Sequence, residues 1–154
     1  MMNKAAGNSV VTHHYNHPAE TVFRAWLDER LLKKWLFPGE LLLKVEINPN
    51  IEGEFSFVVD REGTAVDHRG KYLEIQAPSR LAFTFGIPKI TPDTDTVYID
   101  IIDTCEGCKL TLTHEIHPNW TEYVKDTDKA WKQMLVVLEK VLDRGMNREL
   151  QQPS

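Results

Sequence analysis

Phe23-Arg-Ala-Trp-Leu-Asp-Glu-Arg-Leu-Leu-Lys-Lys-Trp-Leu-Phe-Pro38 sets two tryptophans nine residues apart. Val22, Phe23, Trp26 and Leu27 fall on one stripe at helical spacing. Upstream, Pro18 suits a first helical turn, with His17 at the cap position and Glu20 in that turn. Asp28 then interrupts the pattern as the N-cap of a second short helix, whose inner face is Leu31, Leu32 and Trp35. Pro38-Gly39 ends it. The stretch therefore predicts two short helices broken at an aspartate, and what surrounds it decides what they serve.

Before it, Ser9–Tyr15 reads as a strand. After it, the hydrophobic period switches from 3.6 to 2. Leu41, Leu43, Val45 and Ile47 share one side of a strand, as do Phe55, Phe57 and Val59 of the next. Residues 65–76 form another, with Gly70, Tyr72 and Glu74 on one side and Leu73 and Ile75 on the other. Leu81, Phe83 and Phe85 alternate, then Val97, Ile99 and Ile101, then Leu110, Leu112 and His114. Short strands with tight turns imply an antiparallel meander buried on one face. Asn119 and Glu122 fit a reciprocal capping box for a last helix, predicted to reach about Asp143 and stop at Gly145. Its apolar stripe is Val124, Trp131, Met134, Leu135, Leu138, Val141 and Leu142. Some 22 residues would span about 33 Å, enough to cross a sheet.

Strands and helices in separate blocks predict an α+β fold. A curved antiparallel sheet of about six to seven strands wraps a long C-terminal helix, and two short helices follow strand 1. One domain is expected over residues 1–154, with its core at about 9–144 and a tail at 145–154. A curved sheet gripping one helix leaves a gap where its inner residues fall short, and such gaps take small apolar ligands.

The chain has 154 residues, 42% hydrophobic and 27% charged, ordinary for a globular protein. A net charge of -5 argues against nucleic acid, which needs a basic surface, and gives no electrostatic pull toward anionic lipid. No segment approaches the ~20 apolar residues of a membrane span. The first nine residues hold no apolar stretch for a signal peptide, so a cytoplasmic location is expected.

Cys105-Glu-Gly-Cys108 holds both cysteines. It lies between two alternating strands, not at a strand-to-helix junction, so it reads as a hairpin turn without redox or zinc chemistry. His114-Glu-Ile-His117 spaces its histidines by three, at a strand end, whereas a helical zinc motif needs four. No metal and no cofactor is expected. His114 shares a face with Leu110 and Leu112; it enters the gap as a polar anchor or packs as a satisfied core histidine. His13, His14 and His17 read as surface residues.

Five segments, in order, also carry a family likeness: Val22-Phe-Arg-Ala-Trp26, Gly53-Glu-Phe-Ser-Phe57, Arg69-Gly-Lys-Tyr-Leu-Glu-Ile75, Pro78-Ser-Arg-Leu-Ala-Phe-Thr84 and Leu110-Thr-Leu-Thr-His-Glu115. Over residues 9–144 the chain resembles the family related to the C-terminal domain of the heat-shock-protein-90 ATPase activator. That family lies within the START and birch-pollen-allergen-like superfamily of helix-grip folds. The resemblance implies a deep cavity between sheet and C-terminal helix, which across the superfamily holds lipids, sterols, polyketides or other hydrophobic molecules. A few relatives are cyclases, aromatases or self-sacrificing resistance proteins. The last helix of such proteins often carries Gly-Trp, where this chain has Ala130-Trp131.

The function expected is binding of a small hydrophobic or aromatic ligand. The lining candidates are Trp35, Phe37, Phe55, Phe57, Phe83, Phe85, Tyr98, His114, Trp131, Met134 and Leu138, with Arg69 a further polar contact. Trp35 and Phe37 are expected at the mouth, while Trp26 anchors the helix pair. Two alternatives stand beside this. A polyketide cyclase or hydrolase would use His114 as acid or base. A chaperone-associated role is not expected, because the activator has two domains and this chain has room for one.

Overall fold

The computed structural model describes residues 7–151, with side chains through Gly145. The chain runs β1 (Asn8–Tyr15), α1 (Ala19–Arg24), α2 (Glu29–Trp35), β2 (Leu41–Ile47), β3 (Glu54–Arg61), β4 (Thr64–Gln76), β5 (Arg80–Phe85), β6 (Asp95–Asp103), β7 (Cys108–Glu115) and, after a 3-10 helix at Pro118–Tyr123, α3 (Val124–Gln151). The strands form one antiparallel sheet of seven in the order β1-β7-β6-β5-β4-β3-β2. The sheet curves and α3 lies across its concave face: a helix-grip, α+β fold.

The period-2 reading holds where the ladder is regular. Val97, Ile99 and Ile101 of β6 and Leu110 and Leu112 of β7 are at most 3% exposed. Two strands break the count. A register shift between Leu42 and Lys44 turns Leu42 toward the core and leaves Leu41 and Leu43 more than half exposed. A second shift between Tyr72 and Glu74 brings Tyr72 and Ile75 to the same core, although simple alternation separates them. An extra residue in one strand reverses the facing of everything beyond it.

The helix ends also differ from expectation. Pro18, not His17, is the N-cap of α1, and it offers no side-chain acceptor. His17 is buried and bonds Asp143 of α3 at 2.7 Å, so it is not a surface residue. Asp28 does cap α2, accepting from the Arg30 N–H at 2.9 Å. Asn119 does not cap α3. It lies inside the 3-10 turn, which His117 caps by accepting the Asn119 N–H at 3.1 Å. Gly145 does not stop α3, which continues to Gln151.

β1 is tied to α3 three times, and His17 just past it adds a fourth bond. Ser9 donates to Asp128, the Tyr15 hydroxyl donates to the Leu135 carbonyl at 3.0 Å, and His13 and His17 meet Glu139 and Asp143 at 2.6 and 2.7 Å. The odd-numbered strand residues face one way, which presents Ser9, His13 and Tyr15 to one helix. The Cys105–Cys108 segment is the β6–β7 hairpin, closed by the Thr104 N–H on the Gly107 carbonyl. Both thiols are free; burial first, with Asp103 nearby, pushes Cys108 up to about 11, against the direction a redox thiol needs.

Candidate functional site

Between α3 and the sheet lies a cavity of about 490 Å³. Small-molecule sites commonly occupy about 300–1,000 Å³. Its apolar wall is Phe37 after α2, Phe85 on β5, and Trp131 and Met134 on α3. The loop after β5 contributes Ile87 and Ile90, and the 3-10 turn contributes Trp120 and Tyr123. Polar groups enter at few points: Arg61, His68, Asp93, Asp95, His114, Asp126 and two threonines.

A second, inner space of about 20 Å³ lies among Trp26, Phe55, Phe57, Tyr72 and Phe83. Phe37, Phe85 and Trp131 border both spaces.

The two inward histidines differ. His114 is 4% exposed and uses both ring nitrogens. Its Nδ1 accepts the Trp131 indole N–H at 2.9 Å, and its Nε2 lies 2.7 Å from Asp95 Oδ2. An indole N–H only donates, so Nδ1 carries no proton and the proton sits on Nε2, donated to Asp95. Asp95 is held in turn by the His117 backbone N–H at 2.8 Å. His114 is thus both a cavity-wall residue and a satisfied core histidine.

His68, buried to 4% exposure, has its Nδ1 3.2 Å from the Phe57 carbonyl. A carbonyl only accepts, so Nδ1 bears the proton and Nε2 presents a lone pair. Burial pushes its pKa below the ordinary histidine value. The ring stacks against Phe37 at 4.5 Å and Phe85 at 5.5 Å. Arg61, in the same wall, makes two hydrogen bonds to Glu40, at 2.6 and 2.8 Å. Those bonds hold Glu40 below its usual range.

The sequence candidates divide on this geometry. Phe37, Phe85, His114, Trp131 and Met134 line the larger cavity, and Phe55, Phe57 and Phe83 line the inner space. Trp35, Tyr98 and Leu138 line neither. Trp35 is fully enclosed, and its indole donates to the Ala25 carbonyl at 3.1 Å, so it anchors the helix pair. Trp26, expected to be that anchor, is buried in the core against Trp35, with ring centres 4.6 Å apart, and also borders the inner space. Tyr98 sits on the outer face of β6 under the Arg80 guanidinium, 4.9 Å from its ring centre. Leu138 is core. Arg69 pairs with Asp67 at the surface.

Sequence reading passed over His68, Arg61, Asp95 and Trp120. His68 alternates in phase with Gly70 and Tyr72 on the inward side of β4, a signal available in the sequence. Asp95 is the first residue of β6, directly after a loop, and Trp120 lies in the 3-10 turn, so no established period assigns either a face.

Among the described residues no group of three or more His, Cys, Asp or Glu is arranged to hold a metal. Nor is any described helix long and apolar enough to cross a membrane.

Solved structures share this architecture. Protein NE0264 from Nitrosomonas europaea is similar with a TM-score of 0.81 at 20% identity, covering 94% of this chain and 99% of that one. A Rhodobacter sphaeroides protein gives 0.81 at 18%, covering 93% and 97%. The solution structure of ChR145 from Cytophaga hutchinsonii gives 0.73 at 22%, covering 96% and 99%. At such identities the likeness concerns the fold. No curated protein matches the chain. The family model described as activator of Hsp90 ATPase homolog 1-like protein matches residues 16–143, nearly the whole helix-grip unit, and the chain belongs to that family.

Proposed function

We propose that the protein binds a small apolar or aromatic molecule in the cavity between α3 and the sheet, as a binder and not an enzyme. The observation that carries this is the cavity itself: about 490 Å³, walled by Phe37, Phe85, Trp131 and Met134. A ligand there displaces water from aromatic surface, worth roughly 25 cal/mol per Å² of apolar area buried. The Nε2 lone pair of His68 offers one acceptor for orientation. The occupied nitrogens of His114 favour binding over acid–base chemistry, since a proton shuttle at Nδ1 would first break the Trp131 bond. Residues 9–144 act as one domain in this reading, and its site is cytoplasmic.

Native mass spectrometry of gently purified protein, with displacement of the neutral dye N-phenyl-1-naphthylamine, tests it. The expected result is dye binding at micromolar concentration, competed by apolar compounds that also raise the melting temperature. Absence of both copurified ligand and dye binding would sink the reading.

A further inference from the structure

The chain has four tryptophans, and three have partnered indoles. Trp35 donates to the Ala25 carbonyl, Trp131 to His114, and Trp120 to Asp93. Trp26 is 4% exposed, and its Nε1–H has no partner among the described residues. A buried donor left unpaired opposes folding, so such groups are rare and call for a reason. Trp26 borders the inner space of about 20 Å³, which adjoins the large cavity at Phe37, Phe85 and Trp131.

That volume admits about one oxygen atom. A lone water there would need at least two polar partners and typically has about three. With the Trp131 indole committed to His114, Trp26 and Tyr72 are the remaining lining residues whose side chains carry a polar atom. The rest of the side-chain wall is aliphatic and aromatic. A ligand oxygen attached to an apolar skeleton needs only the one donor, and its carbon frame suits the aromatic wall.

Resting on the cavity being the ligand site, we propose that the ligand is an aromatic ketone-type molecule. Its ring system lies in the larger cavity, and its carbonyl oxygen enters the inner space to accept the Trp26 indole N–H. The assignment sets orientation, carbonyl end first, and gives Trp26 a specificity role that bulk burial does not supply. A hydrocarbon of the same shape fits the cavity but leaves the donor unpaired.

9-Fluorenone and fluorene differ by a carbonyl in place of a methylene and are the probes. Calorimetric titration of the wild-type protein is expected to show 9-fluorenone binding about 3- to 10-fold tighter, the range of one neutral hydrogen bond. Trp26→Phe keeps most of the ring and removes the donor. It is expected to bring 9-fluorenone to parity with fluorene or below, with fluorene affinity within about twofold of wild type. The wild-type protein also supplies a reading that needs no variant. The one indole N–H resonance among four that moves with 9-fluorenone and stays with fluorene belongs to Trp26. Equal binding of the two probes by the wild type overturns the proposal and leaves the cavity reading intact. So does a carbonyl preference that survives in Trp26→Phe, or an indole spectrum unmoved by 9-fluorenone. Failure of both probes to bind, with N-phenyl-1-naphthylamine also excluded, overturns both.

Discussion

At the residue scale, what matters is which polar atoms inside the cavity are already spoken for. His114 is: Trp131 and Asp95 fix its tautomer from both sides. His68 is held at one nitrogen only. Its folded-state pKa lies below the ordinary value chiefly because burial penalises the charged ring. The sign follows from linkage. An unfolded chain takes up the proton near 6.5, and the folded chain takes it up only at lower pH. Stability conferred by the neutral ring is therefore complete above about pH 6.5 and is lost as pH falls from there through the folded-state value. Urea midpoints at pH 7.5 and 5.5 are expected to differ less in His68→Gln than in the wild type; equal differences would show that His68 does not supply the slope. The same scale shows where sequence fell short. Trp26, two residues past α1, and Trp35, the last residue of α2, are both buried, and spacing cannot say which indole finds a carbonyl. Trp35 finds the Ala25 carbonyl through the turn between α1 and α2, a three-dimensional fact. Trp26, just past α1, has an indole N–H with no partner among the described residues and borders the inner space.

Elements were legible where a single period runs unbroken. β6 and β7 bury the face their alternation announces, and β3 and β5 do so too while also burying Ser56 and Ala82 on the other face. β2 and β4 carry bulges whose extra residue has no side-chain signature, so their face assignments fail partway along. The end of α3 failed differently. Glycine at 145 reads as a stop, but the helix continues, and a Cβ there would meet nothing within 4 Å. Alanine should therefore be accepted without strain and stabilise by about 0.5–1 kcal/mol, by lowering unfolded-chain entropy and raising helix propensity. Thermal unfolding of Gly145→Ala checks this; no change in midpoint would place Gly145 outside a cooperative helix. Gly107 behaves oppositely. A Cβ there would lie 2.0 Å from the Tyr15 carbonyl oxygen and 2.8 Å from the His17 backbone nitrogen. Neither backbone group can swing away as a side chain tip would, so β1 and the β6–β7 hairpin must separate. Gly107→Ala is expected to destabilise by about 3 kcal/mol, at the upper end of overpacking costs, read as a lowered denaturant midpoint with unchanged fold in the native baseline.

At the scale of the molecule, the cavity is a failure of α3 to meet the sheet along its whole length. Toward its middle α3 packs closely, with Leu135 and Leu138 fully buried, and β1 and His17 after it tie it down. Near its start it stands off, and Trp131 and Met134 end against open volume. Composition could not reveal this, because Trp131, Met134, Phe83 and Phe85 are the residues a filled core would also use. Whether such side chains touch or leave a gap depends on sheet curvature and on the loop after β5. If the gap is kept for a ligand, the fold gives up packing there, and filling it should trade binding for stability. Met134→Phe adds a ring where the wall is already aromatic and α3 faces free space. The expected result is a melting temperature raised by a few degrees, equivalent to about 1 kcal/mol, together with at least about tenfold weaker binding of N-phenyl-1-naphthylamine. Destabilisation with unchanged dye binding would mean that the dye lies elsewhere and that α3 is already packed at Met134. The opposite movement of the two quantities in one variant separates a ligand cavity from an accidental packing defect. A defect filled in this way gains stability and has no binding to lose.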